Sequence, residues 1–238
     1  MGSINQKAFP QLERGEVARL KDALREKYKE GGTPTADSSL IRSLAIKFFD
    51  PKKRVLDVGC ANGSLLGFLN SRGYPHTYGA DIEDFLTKGR PTEEFRAVDL
   101  NFELFPWPKE YFQGVSAVEI YEHLENPFHF VREVARVLGG EGVLILTTPN
   151  PHHLFNKLSF LKNGEFYRFS EKNDHITLLT PPVFRKCILK YFTLVETRYW
   201  EGEFPYRWFS RFRWPQNRFF GRSVVHVLRK KLCPAIQP

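Results

Sequence analysis

The stretch VLDVGCANGSLLGFL, residues 55–69, decides the fold of this chain. Val55, Leu56 and Val58 form an apolar run short enough for a buried parallel strand, and the apolar residues after Ser64 begin a helix. Gly59 and Gly63 bracket the bend between them, where side chains would block the close approach of a ligand. Backbone N–H groups at the start of the helix can face that ligand. The stretch therefore predicts a strand, a ligand-binding turn and a helix.

An acidic residue lies at the end of the next apolar run, HTYGADI, residues 76–82. This residue, Asp81, follows Asp57 by 24 positions. A carboxylate at that spacing can accept hydrogen bonds from both hydroxyls of a ribose diol. Strand, turn, helix, strand and acid together predict a nucleoside cofactor.

The residues of the turn indicate which nucleoside is bound. A dinucleotide fingerprint has the order G-x-G-x-x-G, whereas this turn has alanine at the second glycine position and serine at the third, in the order Gly59, Cys60, Ala61, Asn62, Gly63, Ser64. Asp57 would repel a pyrophosphate, but its carboxylate suits a cationic sulfonium that carries an amino-acid tail. The turn therefore favours S-adenosylmethionine over NAD.

The segment DVGCANG, residues 57–63, resembles the first motif of the class I S-adenosylmethionine-dependent methyltransferases, an acidic residue followed by x-G-x-G-x-G. Ala61 departs from that motif at the middle glycine. The resemblance extends over roughly residues 40–231 and implies that S-adenosylmethionine is the cofactor and S-adenosylhomocysteine the product. The cofactor-binding residues that it implies are Asp57, Gly59, Cys60, Ala61, Asn62, Gly63, Ser64, Asp81, Ile82, Asp99, Leu100, Glu119 and Ile120.

The rest of the chain alternates between strand and helix patterns. Phe95–Asn101 predicts a third strand that ends in Asp99, where the family places an acidic or polar residue near the adenine amino group. Further predicted elements are a strand over Gly114–Glu119, a helix over Phe128–Leu138 stopped by Gly139 and Gly140, a strand over Gly142–Asn150, a helix over Thr180–Tyr191 and strands over Thr193–Tyr199 and Ser223–Arg229. This order predicts an α/β fold, a Rossmann-like doubly wound seven-stranded, mostly parallel sheet with helices on both faces.

Domain organisation and compartment follow from composition. Residues 1–39 predict an N-terminal helix and a flexible joint that serve as a lid or packed arm. Residues 40–238 predict the methyltransferase domain, with acceptor-side insertions at about 151–180 and 200–222. Cys60, Cys187 and Cys233 have no paired spacing and no metal-ligand pattern, which predicts reduced thiols. With no apolar run of membrane-spanning length and no signal peptide, we expect the protein in the cytoplasm.

Most of the net charge of +8 lies near the C-terminus, in a basic aromatic segment that we define as residues 198–231. This segment has nine Lys or Arg against two Glu, interleaved with ten aromatic residues. It fits an anionic membrane surface, which would make the protein peripheral, or the phosphate of a nucleotide-sugar or lipid-linked acceptor. Nucleic acid is the less favoured partner, because the NPPY-type signature of amino-directed enzymes is absent after the fourth strand. Aromatic rings that simply pack in the core explain the segment equally well.

Two histidines are the candidate catalytic residues. His123, in the segment EIYEHLENP (residues 119–127), follows the fourth strand, and the carboxyl ends of parallel strands face the ligand crevice. Imidazole titrates near neutral pH and can serve as a general base. His175 precedes a predicted helix, and Asp174 is a candidate to orient it. Both histidines also fit a purely structural role, while His152 and His153 fit a polar loop.

The acceptor is indicated by looser resemblances. The segment EIYEHLENP is similar to the subgroup of type 11 methyltransferases that contains ubiquinone-biosynthesis O-methyltransferases. Residues 148–192 resemble methyltransferases of polysaccharide synthesis, which implies transfer to a sugar hydroxyl of a glycan or its precursor. A small phenolic or quinone-type acceptor is the alternative enzyme activity, and a non-catalytic cofactor-binding partner protein is the alternative outside enzymes. We expect transfer without a metal.

Overall fold

Seven strands and four helices of at least eight residues form the computed structural model, which describes residues 39–86, 91–170, 173–202 and 215–232. Apolar runs bounded by glycine or proline turns produce these elements. The helices are α1 (Ser39–Phe48), α2 (Ser64–Ser71), α3 (Pro127–Val137) and α4 (Leu154–Asn163), and the strands are β1 (Val55–Val58), β2 (Thr77–Asp81), β3 (Glu94–Ala97), β4 (Phe112–Val118), β5 (Leu138–Pro149), β6 (Phe192–Gly202) and β7 (Gly221–Lys230).

The strands form one sheet in the order β3-β2-β1-β4-β5-β7-β6. Strands β1 to β5 are mutually parallel, and β7 runs antiparallel to both of its neighbours, β5 and β6. This confirms the predicted Rossmann-like, mostly parallel seven-stranded sheet. The strand order reverses between β1 and β4, so the crevice at their carboxyl ends is the expected ligand site.

Alternate residues of the central strands pack on opposite faces of the sheet. Leu144 and Leu146 of β5 join the cluster that contains Phe130 of α3, while Val143 and Ile145 join the cluster with α1 and α2. Both clusters are formed by fully buried side chains. Helices therefore cover both faces, as predicted, and burying the two apolar layers fixes the register of every strand.

Three predicted elements differ from the structure. Strand β3 ends at Ala97, so Asp99 lies in the turn that follows and not at a strand end. Helix α3 ends at Val137, before Gly139 and Gly140 as predicted, but β5 begins at Leu138 and includes both glycines, whereas its predicted start is Gly142. The predicted helix over Thr180–Tyr191 is only a helical turn, Pro181–Val183, that continues as a π-helical turn, Phe184–Ile188.

The structure also bears on the predictions about the membrane and the cysteines. In the part of the chain that it describes, no helix is both long and apolar enough to cross a bilayer. Cys60 and Cys187 are free thiols. The predicted N-terminal helix, Cys233 and residues 203–214 of the basic aromatic segment lie outside the described residues.

Candidate active site

The turn after β1 is built from residues with left-handed backbone conformations. The φ angles are 70° at Gly59, 47° at Ala61 and 78° at Gly63. A Cβ atom on Gly59 would lie 2.0 Å from Cδ1 of Ile120, so only glycine fits beneath that side chain. On Gly63, it would lie 2.8 Å from both Leu86 and Pro91. Both glycines are therefore required by close packing as well as by backbone conformation.

Backbone hydrogen bonds hold the turn against β2. The amides of Gly59 and Cys60 donate to the carbonyl of Ala80 at 2.7 and 3.2 Å. The amide of Ala61 donates to Oδ2 of Asp81 at 2.9 Å. Alanine at the middle position of the motif therefore supplies a backbone donor to the acid at the end of β2, and the turn keeps its conformation without a glycine there.

Asp57 lies at the floor of the turn, almost fully buried. Its Oδ1 accepts a hydrogen bond of 2.6 Å from the hydroxyl of Ser116 on the neighbouring strand β4. Burial raises the pKa of Asp57 to about 7, with the negative charge of Asp81 adding to the rise and the Ser116 hydrogen bond opposing it. A cation bound beside this carboxylate would favour its ionised form.

Asp81 is the second buried carboxylate of the site. Its two oxygens accept from the amides of Ala61 and Ile82, at 2.9 and 2.8 Å. Burial raises its pKa to about 6, against the lowering effect of these two hydrogen bonds. Two buried carboxylates around one turn thus favour a ligand that carries positive charge.

Asp99 is held by its own turn. Its Oδ1 accepts from the amide of Asn101 at 2.9 Å, and its own amide donates to Glu103. Leu100, next to it, is buried in the core. The adenine-side role of Asp99 and Leu100 implied by the family resemblance stays a prediction, with the corrected position of Asp99 in a turn.

The residues directly after β4 contact β5 and, through Arg168, β7. Glu119 has a left-handed φ of 52°, which turns the chain sharply as β4 ends. Its amide donates to Oγ1 of Thr147 on β5 at 2.7 Å, and its carboxylate accepts from Arg168 Nη2 at 3.2 Å. Arg168 also donates to the hydroxyl of Ser223 on β7 at 3.1 Å. Arg168 thus ties the segment after α4 to the ends of β4 and β7.

Glu122 is fully buried in the 3-10 turn that follows (Tyr121–His123). Its two carboxylate oxygens have no hydrogen-bond partner among the described residues. Burial, together with the nearby charge of Glu119, raises the pKa of Glu122 well above its ordinary value, while Arg168 opposes the rise. Glu122 is thus a buried acid whose side chain is not satisfied by the fold.

His123 and His175 meet in the same place. Their rings lie edge to face with centroids 4.8 Å apart. Nδ1 of His123 lies 3.1 Å from the carbonyl oxygen of Asp174 and 3.3 Å from its Oδ2. Asp174 therefore contacts His123, and its role in orienting His175 stays a prediction. Burial lowers the pKa of His175 to about 4, with the neighbouring His123 and Arg168 contributing, so its imidazole is neutral at pH 7.

The segment that carries His175 is fastened beneath it. The amides of Ile176 and Thr177 donate to the carbonyl of Glu122 at 2.8 and 2.9 Å, and the Thr177 hydroxyl donates to the carbonyl of Leu124 at 2.6 Å. The ring of Phe169 lies edge to face against His175, with centroids 5.5 Å apart. These contacts hold His175 beside His123 at the carboxyl end of β4.

The other histidines after β5 have local roles. His153 precedes α4, and its Nδ1 accepts from the amide of Phe155 at 3.2 Å, which caps the helix. His152 lies 3.4 Å from Arg218. The predicted acceptor-side insertion at about 151–180 thus contains helix α4 near its start, and α4 carries Phe155 and Phe160.

A cavity of about 390 Å³ lies at the other end of the strands. Its lining includes Arg54, His76 and Tyr111, which are near the amino ends of β1, β2 and β4. Ligands of open parallel sheets bind outside the carboxyl ends. We therefore place the functional site at the glycine turn and the histidine pair, not at this cavity.

Sequence reasoning missed Ser116, Thr147, Glu122 and Arg168. Ser116, Thr147 and Arg168 have partners in distant parts of the chain, as Ser116 with Asp57 and Arg168 with Glu119, and Glu122 is brought to His175 only by the fold. The sequence carried one usable signal, since Ser116 and Thr147 interrupt otherwise apolar strands. A polar residue in a buried strand requires a hydrogen-bond partner, but the sequence does not identify that partner.

Comparison with known proteins identifies the family of the domain. A family profile described as a methyltransferase domain matches residues 30–191, which is more than half of the chain. No curated protein matches the chain.

Solved structures with the same fold share little sequence with this chain. One is from a complex between the Haloferax volcanii Trm112 methyltransferase activator and a protein described as a methyltransferase, with a TM-score of 0.67, 15% identity, and 91% of this chain and 98% of that chain covered. An Archaeoglobus fulgidus S-adenosylmethionine-dependent methyltransferase has a TM-score of 0.58 at 21% identity, covering 81% and 93%. The Burkholderia thailandensis 1,6-didemethyltoxoflavin-N1-methyltransferase, with S-adenosylhomocysteine bound, has a TM-score of 0.60 at 14% identity, covering 97% and 98%. At these identities, the likeness shows the fold alone.

Proposed function

The chain belongs to the methyltransferase domain family, and we propose that it is an O-methyltransferase that transfers the methyl group of S-adenosylmethionine to a sugar hydroxyl of a glycan or glycan precursor. One observation carries the choice of an oxygen acceptor, the convergence of His123 and His175 beside the end of β4. A hydroxyl must lose its proton when it attacks carbon, and a pair of imidazoles at the acceptor position suits that requirement.

S-adenosylmethionine is the cofactor, and the residues at the turn fit it. The sulfonium supplies a methyl carbon activated for in-line displacement. The buried carboxylates of Asp57 and Asp81 match the positive charge and the ribose diol, and the positive-φ backbone at Gly59 and Gly63 leaves the turn without side chains that would hinder close approach. No pyrophosphate-binding glycine pattern competes with this assignment.

Ile120 connects the two halves of the site. Its side chain packs on Gly59 of the turn after β1, residues 59–63, which we call the cofactor turn. Ile120 precedes His123 by three residues. An acceptor held against the histidine pair therefore lies next to the cofactor turn. Holding both reactants in line supplies most of the rate advantage in methyl transfer, because the donor carbon is already activated.

His123 is the general base in this proposal. Asp174 occupies its Nδ1 side through a carbonyl and a carboxylate oxygen, which favours the tautomer with hydrogen on Nδ1. Nε2 then keeps its lone pair and can accept the acceptor proton. His175 packs on the imidazole and fixes the plane of its ring.

Exposed aromatic side chains in α4 and the segment after it favour a sugar acceptor. Tyr167 and Phe160 are each more than half exposed, and Phe166 packs against Phe160 with ring centroids 5.2 Å apart. Flat apolar rings that remain accessible beside polar groups suit pyranose faces, whose C–H groups pack on rings while the hydroxyls hydrogen-bond elsewhere.

An acceptor screen with labelled S-adenosylmethionine tests the proposal. The panel contains nucleotide-sugars, oligosaccharides, catechol and a quinone precursor, and methyl transfer is followed by mass spectrometry. We expect transfer to a sugar hydroxyl, lowered roughly 100-fold in kcat by His123→Ala with cofactor affinity unchanged. His76→Ala, an exposed histidine at the amino end of β2, is the matched control and should keep full activity.

The other outcomes of this screen are distinct. Transfer to phenols alone would replace the sugar acceptor with the small-metabolite alternative. Cofactor binding without transfer to any acceptor class would favour a non-catalytic binding partner. Full activity in His123→Ala and His175→Ala would leave alignment, and not base catalysis, as the contribution of the protein.

A further inference from the structure

Three side chains at the acceptor end of the crevice form a cluster of metal-ligand type. One donor atom each from Glu122, His123 and His175 lies within 4.8 Å of the other two. The three residues come from two separate segments, the turn after β4 and the segment that precedes Pro181–Val183. Their convergence therefore depends on the tertiary fold and is not a consequence of sequence spacing.

Glu122 supplies a second observation that points to a ligand. Its side chain is completely buried, and neither carboxylate oxygen has a hydrogen-bond partner in the described part of the chain. Buried carboxyl groups without partners are expensive, since burial removes their hydration without replacing it. A bound cation beside the carboxylate would remove that cost.

His123 has the outer contacts of a metal-bound histidine. Ligating histidines donate their second ring N–H to a carboxylate or a backbone carbonyl, which fixes the ring and the tautomer. Nδ1 of His123 has both kinds of acceptor, the carbonyl and the carboxylate of Asp174, at 3.1 and 3.3 Å. This arrangement leaves Nε2 of His123 for the ligand.

We propose that Glu122, His123 and His175 bind one divalent transition-metal ion of the Zn²⁺ class. Two imidazoles and one carboxylate suit Zn²⁺, Co²⁺ or Ni²⁺, whereas Mg²⁺ and Ca²⁺ require mostly oxygen ligands. Ligand atoms around tetrahedral Zn²⁺ with bonds of about 2.1 Å lie about 3.4 Å apart. Separations of up to 4.8 Å in the cluster must therefore shorten by up to about 1.4 Å when the metal binds.

Metal binding and base catalysis exclude one another at this site. A ring nitrogen that coordinates a metal has no lone pair to accept a proton. Occupancy by Zn²⁺ therefore inhibits methyl transfer, and its removal by a chelator restores it. This inhibition rests on the proposed function, whereas the binding itself does not.

Titration of the purified protein with Co²⁺ tests the binding without any acceptor. We expect one equivalent to produce visible ligand-field absorption, which Zn²⁺ displaces and millimolar Mg²⁺ does not. Glu122→Gln and His175→Ala should each weaken Co²⁺ binding at least 10-fold while cofactor affinity stays normal. His76→Ala, which removes a histidine outside the cluster, should leave the Co²⁺ titration unchanged.

Two results would overturn the proposal. Absence of saturable Co²⁺ absorption means that the cluster holds no metal, and binding that persists in His175→Ala places the metal elsewhere. Because His175 is partly exposed, its alanine variant decides the matter even where Glu122→Gln does not fold. Activation of transfer by Zn²⁺ would retain the metal site and reject its inhibitory role.

Discussion

Ser116 on β4 donates a hydrogen bond of 2.6 Å to Asp57 on β1, the carboxylate beneath the cofactor turn. The two residues are directly paired in the parallel ladder. The hydroxyl stabilises the ionised carboxylate, yet burial outweighs it, because the pKa of Asp57 is raised to about 7. The free enzyme thus holds this group half protonated near neutral pH.

Cofactor affinity should therefore depend on pH. Because the sulfonium cation favours the ionised carboxylate, binding must be accompanied by proton release below about pH 7. We expect the affinity for S-adenosylmethionine to rise about 10-fold between pH 5.5 and pH 8, measured by calorimetric titration. S-adenosylhomocysteine, which lacks the sulfonium charge, should show a smaller rise. A pH-independent affinity in the wild-type protein would contradict the placement of Asp57 beside the cation.

The same carboxyl group should make the unliganded protein less stable as the pH rises. A carboxyl group whose pKa is higher in the folded than in the unfolded protein does not destabilise the fold below its unfolded pKa, about 4. The destabilisation grows with pH until the pH passes the folded pKa, about 7 for Asp57. Asp57→Asn should therefore raise the free energy of unfolding at pH 8 by about 1–3 kcal/mol and change it little at pH 4. Urea denaturation at the two pH values measures the difference. Equal effects at both would show that ionisation is not the cause.

Gly59 should tolerate no side chain. Alanine there would clash with Ile120 at 2.0 Å in a backbone with φ of 70°, whereas alanine at Gly73, with φ of 84°, would meet no atom within 4 Å. Both variants carry the backbone penalty of roughly 1 kcal/mol, and Gly59→Ala alone carries the clash. We expect Gly59→Ala to weaken cofactor binding at least 30-fold and Gly73→Ala to leave it unchanged. Comparable cofactor affinity in the two variants would show that contact with Ile120 is not the reason for glycine at position 59.

Arg168 should affect acceptor binding more than cofactor binding. It joins Glu119 to Ser223 across the ends of β4 and β7 and so holds the segment that leads to His175. Arg168→Met should raise the acceptor KM about 10-fold and leave cofactor affinity within about 2-fold, by loss of positioning. Arg185→Met, at an exposed position of the π-helical turn, is the control. A loss confined to kcat would instead indicate a direct role of Arg168 in transfer.

Arg136 on α3 should be a large contributor to stability. It pairs with the buried Glu133, and its guanidinium donates to the carbonyls of Phe105 and Trp107 at 2.7 and 2.8 Å. Arg136→Ala leaves these acceptors and the carboxylate without their partner, and we expect the free energy of unfolding to fall by about 2–4 kcal/mol. Arg132→Ala, on the exposed side of the same helix, should change it by less than about 0.5 kcal/mol. Urea denaturation of both variants provides the comparison.

The strands, turn and helix around Asp57 and Asp81 were predicted from the sequence because their signals are local. Strand, turn and helix are contiguous over residues 55–69, and the buried acid Asp81 ends the next strand. By contrast, the end of β3 depends on pairing. Strand β2 ends at Asp81, opposite Ala97, so no partner remains to extend β3 to Asp99.

The acceptor half was predicted less well, since its contacts join distant segments. Sequence adjacency made Asp174 a candidate to orient His175, but it gave no sign that Asp174 also contacts His123. Gly139 correctly indicated the end of α3, but not that the strand β5 begins at once, where a Cβ atom on Gly139 would lie 2.8 Å from the Gln113 side chain. Neither contact is visible before β4, β5 and the segment after α4 are in place.

The position of β7 between β5 and β6 has a consequence during synthesis. Strand β6 leaves the ribosome before β7. In the described sheet, β7 lies between β5 and β6 and is the strand with which β6 pairs. Apart from the pairing of β5 with β7, strands β1 to β5 pair with one another, so they can form the cofactor turn while β6 is still an unpaired segment of the nascent chain. Insertion of β7 then covers two strand edges in a single step, and until that step the free edge of β5 is open to other chains. The time until β7 is inserted is thus the interval in which the nascent chain needs protection from pairing with other chains.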